Sequence, residues 1–371
     1  MQPMSSTGAE SLSARLHQRV LAAIQAAEGW LPFDRFMALA LYEPDLGYYT
    51  RGSRQFGLMP ASGSDFVTAP ELSPLFGQTL AQQVAQALDA AQADEVFEFG
   101  AGSGALAAQL LAALGPRVRR YWIVDVSGTL RQRQAQTLAP WAERVQWLEA
   151  WPEAMHGVVL GNEVLDAMPV QLLHWDGRQW FERGVSAPAR TLQGADRATS
   201  RRPPLDGSFV PGTVTEIHAQ AEAFVRSLAE RLSRGAAFFI DYGFPEAEYY
   251  HPQRVGGTLM CHRAHRADSN ALQDVGDKDI TAHVNFTGLA LAGQDAGLAV
   301  LGYTSQARFL MNCGLLDALQ GADLRSTTQA QKLIMEHEMG ELFKVIAFGR
   351  GAGCDALEPI GFSAGDRSHT L

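Results

Sequence analysis

The sequence has few cysteines, no long apolar run and fewer basic than acidic residues. Three scattered cysteines in 371 residues exclude a disulfide framework and favour a reducing compartment. No segment reaches the roughly 18 uninterrupted apolar residues of a membrane span, and the N-terminus lacks the pattern of a secretory signal. Thirty Lys and Arg against 40 Asp and Glu give a formal charge of −10, which argues against a nucleic-acid surface. We therefore expect a cytoplasmic globular protein that neither enters a membrane nor binds nucleic acid, with its oligomeric state left open.

Strand-like and helix-like patterns alternate in the first half of the chain. The spacing of apolar residues predicts amphipathic helices over 11–27, 33–41 and 73–91. Buried strands are then predicted over 94–100, 120–127, 144–150 and 157–163, with helices over 105–114 and 127–139 between the first three. This alternation is typical of an α/β fold with a doubly wound parallel sheet, whose ligands bind beyond the carboxyl ends of the strands.

The second half is less regular. Asp176-Gly177 between two apolar and aromatic runs predicts a two-residue hairpin. An exposed loop is expected over 186–208, a helix over 214–232 and a core strand over 236–243. The remaining expectations are a loop-rich segment over 244–285, strands over 298–305 and 342–350, and frayed ends at 1–10 and 351–371. The aromatic loop over 41–73 is expected to be a functional lid or binding loop.

The sharpest local motif is EFGAGSGA (98–105), between a predicted strand and a predicted helix. Glycines here permit a tight turn and a close approach of the backbone to a ligand. The pattern fits a dinucleotide, but the carboxylate of Glu98 would repel a pyrophosphate. It complements S-adenosylmethionine, which carries an ammonium and a sulfonium. Asp125, at the end of the next strand, would accept the ribose hydroxyls of either cofactor, so the nicotinamide alternative stays open.

A second polar motif, GNEVLDAMP (161–169), follows the strand that begins at Gly157. The topology of a doubly wound sheet would bring it next to the glycine turn, so that an amide and two carboxylates, Asn162, Glu163 and Asp166, converge near the transferred group. The alternative is helix capping by Asn162 with acidic residues in the first turn. We favour the functional interpretation because capping requires neither the second acid nor the following proline.

Several stretches together resemble the MidA-type S-adenosylmethionine-dependent methyltransferases. They are LYEPDLGYYT (41–50), GSDFVTAPELSPLFG (63–77), EFGAGSGAL (98–106), NEVLDAMPV (162–170), IDYGFPEAEYYHPQRVGGTLMCHRAHR (240–266), DITAHVNF (279–286) and EMGELFKVIAFGR (338–350). The family includes mitochondrial assembly factors that methylate an arginine of a respiratory complex I subunit. The resemblance implies S-adenosylmethionine as cofactor, and a protein with an accessible arginine as partner, a complex I subunit being the expected one.

The resemblance also implies a class I methyltransferase, Rossmann-like sheet with an N-terminal helical segment and an inserted substrate-side lobe. The expected division of the chain is an N-terminal helical and loop segment at 1–72, core at 73–170, a hairpin and loop insertion at 171–213, core at 214–243, a substrate-side insertion at 244–297, terminal core strands at 298–350 and a tail at 351–371.

Functional residues follow by position from the resemblance. It implies that Glu98 and the glycines hold the methionine end of the cofactor, Asp125 holds the ribose, and Thr68 and Asn162 lie near the methyl group. Glu71 is expected on the substrate side, and Glu163 and Asp166 are expected to be catalytic. The full set of cofactor-binding glycines is Gly100, Gly102 and Gly104. Relatives often carry Pro and Arg where this chain has Ala101 and Ser103, so the cofactor loses one basic neighbour.

The second half of the chain contains three further candidate features. His283 is a candidate for proton removal, with a buried structural histidine as the alternative. Asp241, at the end of a core strand, is a candidate for substrate binding or for a turn. The cluster of Cys261, His262 and His265 lacks the second ligand pair of a zinc site, so no metal is expected.

Two other functions remain as alternatives to arginine methylation. One is methylation of a small molecule or another protein side chain. The other is a non-catalytic assembly chaperone that binds S-adenosylmethionine for stability, which the presence of both Glu163 and Asp166 disfavours.

Overall fold

The computed structural model describes residues 11–51, 67–125, 128–205, 207–263 and 266–371. The predicted frayed N-terminus and much of the predicted aromatic lid, residues 52–66, lie outside these ranges. Within them, no helix combines the length and apolar character needed to cross a membrane. The helices are α1 (Leu12–Ala26), α2 (Phe33–Tyr42), α3 (Ala69–Leu72), α4 (Pro74–Ala91), α5 (Ala105–Leu114), α6 (Gly128–Thr137), α7 (Ala219–Arg231), α8 (Glu246–Tyr249), α9 (Phe286–Asp295), α10 (Gln306–Asn312), α11 (Leu315–Ala318) and α12 (Leu324–Ile334).

The strands form a large central sheet and two smaller ones. They are β1 (Leu31–Pro32), β2 (Glu95–Phe99), β3 (Arg120–Val124), β4 (Val145–Leu148), β5 (Met155–Asn162), β6 (Gln171–Trp175), β7 (Trp180–Ser186), β8 (Gln193–Ala198), β9 (Val214–Ile217), β10 (Leu232–Phe244), β11 (Met260–Arg263), β12 (Arg266–Asp268), β13 (Asp279–Thr281), β14 (Val284–Asn285), β15 (Ala299–Ser305) and β16 (Phe343–Arg350). The central sheet has the order β4-β3-β2-β5-β10-β16-β15, and β14 pairs with β10.

The central sheet is mixed. Strands β2, β3, β4, β5 and β10 pair in parallel, whereas β16 runs antiparallel to both β10 and β15. The strand order reverses between β2 and β5, which follow each other in space but not in sequence. This reversal opens a crevice at the carboxyl ends of the strands. The predicted α/β, class I methyltransferase architecture is confirmed, with one antiparallel strand added.

Helices cover both faces of this sheet, because alternate residues of each strand point to opposite sides. On β10, Phe238 packs in one buried cluster with α4 and α5, while Phe239 packs in another with α7 and α9. Continuous apolar stretches in β5 and β10 fit strands that are buried on both faces. The sheet is therefore a rigid base for the loops at its carboxyl edge.

The lobe predicted to lie on the substrate side has a sheet of its own, with the order β1-β7-β6-β9 and with β8 paired to β7. Helices α1 and α2 pack against it through a third apolar cluster that includes Leu16, Phe36 and Leu172. The predicted hairpin joins β6 and β7, but four residues, 176–179, connect the strands instead of the predicted two. Its turn is closed by the Asp176 carboxylate, which accepts the backbone N–H groups of Arg178 and Gln179.

Two predictions for the lobe were wrong. The stretch 186–208, expected to be an exposed loop, contains β8, whose small and polar residues are exposed except for the half-buried Ala195 and so show no apolar strand pattern. The expected helix over 214–232 begins only at Ala219, since Val214–Ile217 pair with β6 as β9. A small sheet of order β12-β11-β13 also gives structure to part of the expected loop over 244–285.

The C-terminal tail is not frayed. Phe362 is buried against Phe309, and the carboxylate of Asp366 accepts the backbone N–H of Tyr303. The guanidinium of Arg367 lies 2.6 Å from Glu341. The prediction failed because one buried aromatic ring and a few specific polar contacts fix a segment whose composition is polar.

Candidate active site

A cavity of about 310 Å³ lies where the carboxyl ends of the central strands meet the lobe. Its lining includes eight of the sequence-predicted site residues: Thr68, Glu98, Gly100, Gly102, Asp125, Asn162, Glu163 and Asp166. Gly104, Glu71, Asp241 and His283 do not line it. The structure thus brings most of the predicted cofactor and catalytic residues around one volume.

The glycine turn after β2 has left-handed backbone geometry. Gly100, Gly102 and Gly104 have φ values of +64°, +53° and +83°, which side chains with a Cβ rarely adopt. A Cβ on Gly100 would lie 2.9 Å from Cγ2 of Val164. Gly104 does not line the cavity but caps α5, so its predicted contribution is to the turn itself.

We predict that Gly100→Ala weakens binding of S-adenosyl-homocysteine by about tenfold or more, because both the backbone strain and the contact with Val164 displace the turn. Calorimetric titration measures the affinity. Gly128→Ala is the matched control, since a Cβ at Gly128 meets nothing within 4 Å. Equal affinities of the two variants would contradict the predicted role of the turn.

Glu98 lies buried within the last residues of β2, and its Oε2 accepts the hydroxyl of Tyr121 at 2.7 Å. Burial, opposed by the Tyr121 hydrogen bond and helped by the charge of Asp125, raises the pKa of Glu98 to about 7. A bound cation would lower this pKa and would be stabilised by the carboxylate. Glu98 is therefore suited to a positively charged ligand and unsuited to a phosphate.

Gln134, on α6, is a residue that the sequence did not single out. Its Nε2 donates to Oδ2 of Asp125 at 2.8 Å and to the carbonyl of Gly102 at 3.0 Å. Its Oε1 accepts the indole N–H of Trp147 at 2.9 Å. The fully buried amide therefore orients the predicted ribose-binding carboxylate and ties it to the glycine turn. The polar sequence of α6 does not indicate this role of Gln134, because its contacts arise only when the helix packs against the glycine turn.

The turn after β5 carries the predicted catalytic acids. Glu163 has φ +54°, unusual for a residue with a side chain, and its Oε1 accepts Nδ2 of Asn162 at 3.0 Å. The carboxylate oxygen Oδ2 of Asp241 accepts the backbone N–H groups of Val164, Leu165 and Asp166, at 3.1, 2.8 and 3.2 Å. Asp241, 1% exposed, thus supports the turn from below, and its contact with substrate stays a prediction.

The acids in this turn resist ionisation. Burial, followed by the charge of Asp241, raises the pKa of Glu163 to about 8 despite hydrogen bonds from Asn162 and the amide of Ala69. Burial and the charges of Asp241, Asp279 and Glu163 raise the pKa of Asp166 well above its ordinary value. Closely spaced buried carboxylates without a counter-ion are costly, so this end of the cavity favours a cationic guest.

Aromatic rings and one further acid complete the lobe side of the cavity. Tyr42 and Tyr49 are stacked with ring centroids 5.5 Å apart, and Tyr242 lines the wall contributed by β10. The Tyr49 hydroxyl donates to Oδ1 of Asp279 at 2.8 Å. Asp279, in β13, was not predicted as a site residue. The DITAHVNF stretch marked the segment, but no spacing connected it with Glu163.

The other predicted residues lie around the cavity. Oε1 of Glu71 is 3.8 Å from Arg133, beside α3. His283 packs against Tyr242 and Phe244, and burial with the charges of Arg254 and Lys344 lowers its pKa to about 4. A neutral imidazole outside the lining agrees with the structural alternative, and a proton-transfer role remains a prediction. Among the described residues, no group of His, Cys, Asp or Glu has a metal-binding arrangement.

The cavity fits S-adenosylmethionine. The turn at Gly100 allows backbone approach, and Oδ1 of Asn162 is buried without a hydrogen-bond partner among the described residues. That oxygen and Glu98 would accept the N–H groups of the cofactor's ammonium, while Asp125 would accept its ribose hydroxyls. Leu130 and Trp151, also in the lining, would hold the adenine. The ammonium, the ribose and the adenine of the cofactor thus each have complementary groups in the cavity.

Comparisons with known proteins agree with this fit. Residues 79–304, more than half of the chain, match the family described as "Putative S-adenosyl-L-methionine-dependent methyltransferase". A crystal structure of a Burkholderia thailandensis protein bound to S-adenosyl-homocysteine is 52% identical, covers 100% of both chains and has a TM-score of 0.93.

Two animal proteins are more distant relatives. The mitochondrial protein arginine methyltransferase NDUFAF7 of Danio rerio is 27% identical over 79% of this chain and 75% of its own. The Drosophila melanogaster homologue of that protein is 26% identical over 98% of this chain and 92% of its own. The chain belongs to the S-adenosyl-L-methionine-dependent methyltransferase family that matches its core, and S-adenosylmethionine is its cofactor.

Proposed function

We propose that this methyltransferase modifies an arginine side chain of a protein. The observation that carries the proposal is the pairing of buried acids with aromatic rings at the lobe end of the cavity, beyond the predicted cofactor residues. A guanidinium is planar, cationic and rich in N–H donors, and it binds both carboxylates and aromatic faces. The names of the animal relatives, which specify protein arginine methylation, support the same acceptor.

The reaction requires the acceptor to lose a proton. When bound, S-adenosylmethionine supplies a methyl group on a positively charged sulfur, so the leaving group needs no acid. The guanidinium pKa exceeds about 12, so the free group is almost never neutral at pH 7. Glu163 and Asp166 would bind the cation through N–H···O hydrogen bonds and orient one nitrogen. Glu163 would then accept the N–H proton as the new N–C bond forms.

The activity should depend on pH in a defined direction. Glu163 must be ionised to accept the proton, and its pKa in the protein is raised to about 8. We expect kcat/KM to rise with pH and to level off above an apparent pKa near 8. A bound cation favours the carboxylate, so kcat should level off at a lower pH than kcat/KM. Initial rates between pH 6 and 9 test this, and a flat kcat/KM profile would contradict it.

The acceptor can be identified by mass spectrometry of methylarginine in cells with and without the protein. Cells that express the Glu163→Gln variant are the matched control, because that variant is expected to fold and to bind the cofactor. A methylarginine lost in both the deletion and the variant identifies the substrate. No lost methylarginine, together with methylation of a small molecule by the purified protein, would replace the proposal. If no methylarginine is lost and the purified protein methylates no small molecule, while cofactor binding is intact, the non-catalytic chaperone is favoured.

The cellular setting is also part of the proposal. We take a respiratory complex I subunit as the acceptor protein, following the resemblance of the motifs to complex I assembly factors. We place the reaction in the cytoplasm, where a reducing environment keeps Cys261, Cys313 and Cys354 as the buried thiols found in the structure. Affinity purification of the full chain with its methylated partner, followed by cell fractionation, tests both points.

A further inference from the structure

Asp279 has no role in the mechanism above, although its position is close to the reacting groups. It lies in β13, is 2% exposed and lines the cavity on the lobe side. Its charge raises the pKa values of both Glu163 and Asp166, which places it within electrostatic reach of both. Three acids from two parts of the chain therefore face one small volume.

The carboxylate of Asp279 is held in a defined orientation. Tyr49 donates its hydroxyl to Oδ1 of Asp279 at 2.8 Å. The Tyr49 ring stacks on Tyr42, with an angle of 23° between the ring planes, and the Tyr42 hydroxyl donates to the carbonyl of Ala167 at 2.9 Å. The Tyr42–Tyr49 pair thus connects Asp279 with the turn that carries Asp166. The orientation of the acid is set by the same elements that form the aromatic wall.

This arrangement suits one class of cation better than another. A guanidinium presents five N–H donors in one plane, pairs with carboxylates through two parallel hydrogen bonds and stacks on aromatic rings. A lysine ammonium has three donors, no plane and a strongly held hydration shell, which a buried site must remove. A planar guanidinium can donate hydrogen bonds at the same time to carboxylates on different sides of an aromatic-lined cavity.

We propose that Asp279, oriented by Tyr49, is a third acceptor-binding carboxylate and that it makes the site select guanidinium over ammonium. This inference rests on the proposed arginine acceptor. It adds a residue outside the turn after β5 to the acceptor site. The pair formed by Asp279 and Tyr49 therefore acts on acceptor binding and selectivity and leaves cofactor binding alone.

The test measures binding of two small cations to the full-length protein saturated with S-adenosyl-homocysteine. Ethylguanidinium and n-butylammonium are titrated into the wild type and into Asp279→Asn, with binding followed by NMR. We expect the wild type to bind ethylguanidinium at least about tenfold more tightly than n-butylammonium, and Asp279→Asn to weaken ethylguanidinium binding by about tenfold. The ratio of the two affinities should then approach one, with unchanged affinity for S-adenosyl-homocysteine.

Two further variants keep the test decisive. Tyr49→Phe retains the carboxylate but loses its orientation, so we expect about threefold weaker ethylguanidinium binding even if Asp279→Asn fails to fold. Asp274→Asn is the matched control, since Asp274 lies in the same segment, pairs with Arg263 and does not line the cavity. Its left-handed φ of +53° is also well tolerated by asparagine.

The outcomes separate this inference from the proposed function. If the wild type methylates protein arginine but Asp279→Asn and Tyr49→Phe bind both cations as the wild type does, the role of Asp279 is wrong and the proposed function stands. Methylation of arginine with equal wild-type affinities for the two cations would overturn the selectivity. If the wild type binds neither cation and methylates no arginine, both proposals fail.

Discussion

Replacing Glu163 with glutamine is expected to lower kcat by about 10²–10⁴-fold, the usual contribution of a positioned general base. Affinity for S-adenosyl-homocysteine should stay within about twofold of the wild type. Glutamine has the same shape and the same backbone strain at φ +54°, and its carbonyl oxygen can still accept Nδ2 of Asn162. The substitution therefore removes the proton acceptor and the negative charge with little change in structure.

Single-turnover rates with the identified acceptor measure the loss of the chemical step. Calorimetric titration with S-adenosyl-homocysteine measures any loss of cofactor binding. The matched control is Glu153→Gln, which makes the same change at an exposed position outside the cavity lining. Glu153→Gln should turn over as the wild type does. Unchanged kcat in Glu163→Gln would exclude Glu163 as the base, while a parallel loss of cofactor affinity would assign it to binding.

The site residues that could be predicted from the sequence lie in segments with a clear local sequence pattern. The strand ending at Phe99 and the helix from Ala105 were both readable because an apolar strand, three glycines and a periodic helix follow one another directly. The carboxyl-edge rule then placed Asp125 and the turn after β5 beside the glycines without any distance information. Seven of the eight predicted residues in the lining follow from this reasoning, and the eighth, Thr68, followed from the family resemblance.

The residues that were missed depend on tertiary contact. Gln134 lies in a polar helix, and only the packing of α6 against the glycine turn brings its amide to Asp125. Asp279 is separated from Tyr49 by 230 positions in the chain. Asp241 was predicted as a site residue. Its position in the sequence could not show whether it contacts the substrate or supports the turn by accepting hydrogen bonds from three backbone N–H groups.

The helix predicted over 214–232 was wrong at β9 because tertiary contacts decide the structure there too. The residue responsible, Glu216, is also expected to have a large effect on stability. Glu216 interrupts the apolar pattern of Val214–Ile217, yet it is fully buried. Its Oε1 accepts the backbone N–H groups of Thr258 and Leu259 at 2.8 and 3.0 Å, and its Oε2 accepts the Tyr249 hydroxyl at 2.8 Å. The acid therefore holds the segment that leads into β11 against the lobe sheet.

That contact extends to the active site. Oγ1 of Thr258 accepts the backbone N–H of His283 at 3.0 Å, and the neighbouring Ala282 N–H donates to the carbonyl of Asp166 at 2.9 Å. The hydrogen bonds from Glu216 through Thr258 thus position the end of β13 beside the turn that carries the predicted catalytic acids. Disturbing Glu216 should affect stability first and the geometry of the acceptor site second.

We expect Glu216→Ala to lower the free energy of unfolding by about 3–5 kcal/mol, because three buried donors lose their acceptor at about 1–3 kcal/mol each. The apparent Tm should fall by roughly 4–6 °C. Glu216→Gln is the matched control: its carbonyl oxygen can accept both backbone amides and its NH₂ can donate to Tyr249, so less than half of the fall is expected. Thermal unfolding with saturating S-adenosyl-homocysteine measures both variants. A Glu216→Ala protein that melts within about 2 °C of the wild type would show that the lobe is held by its apolar cluster alone.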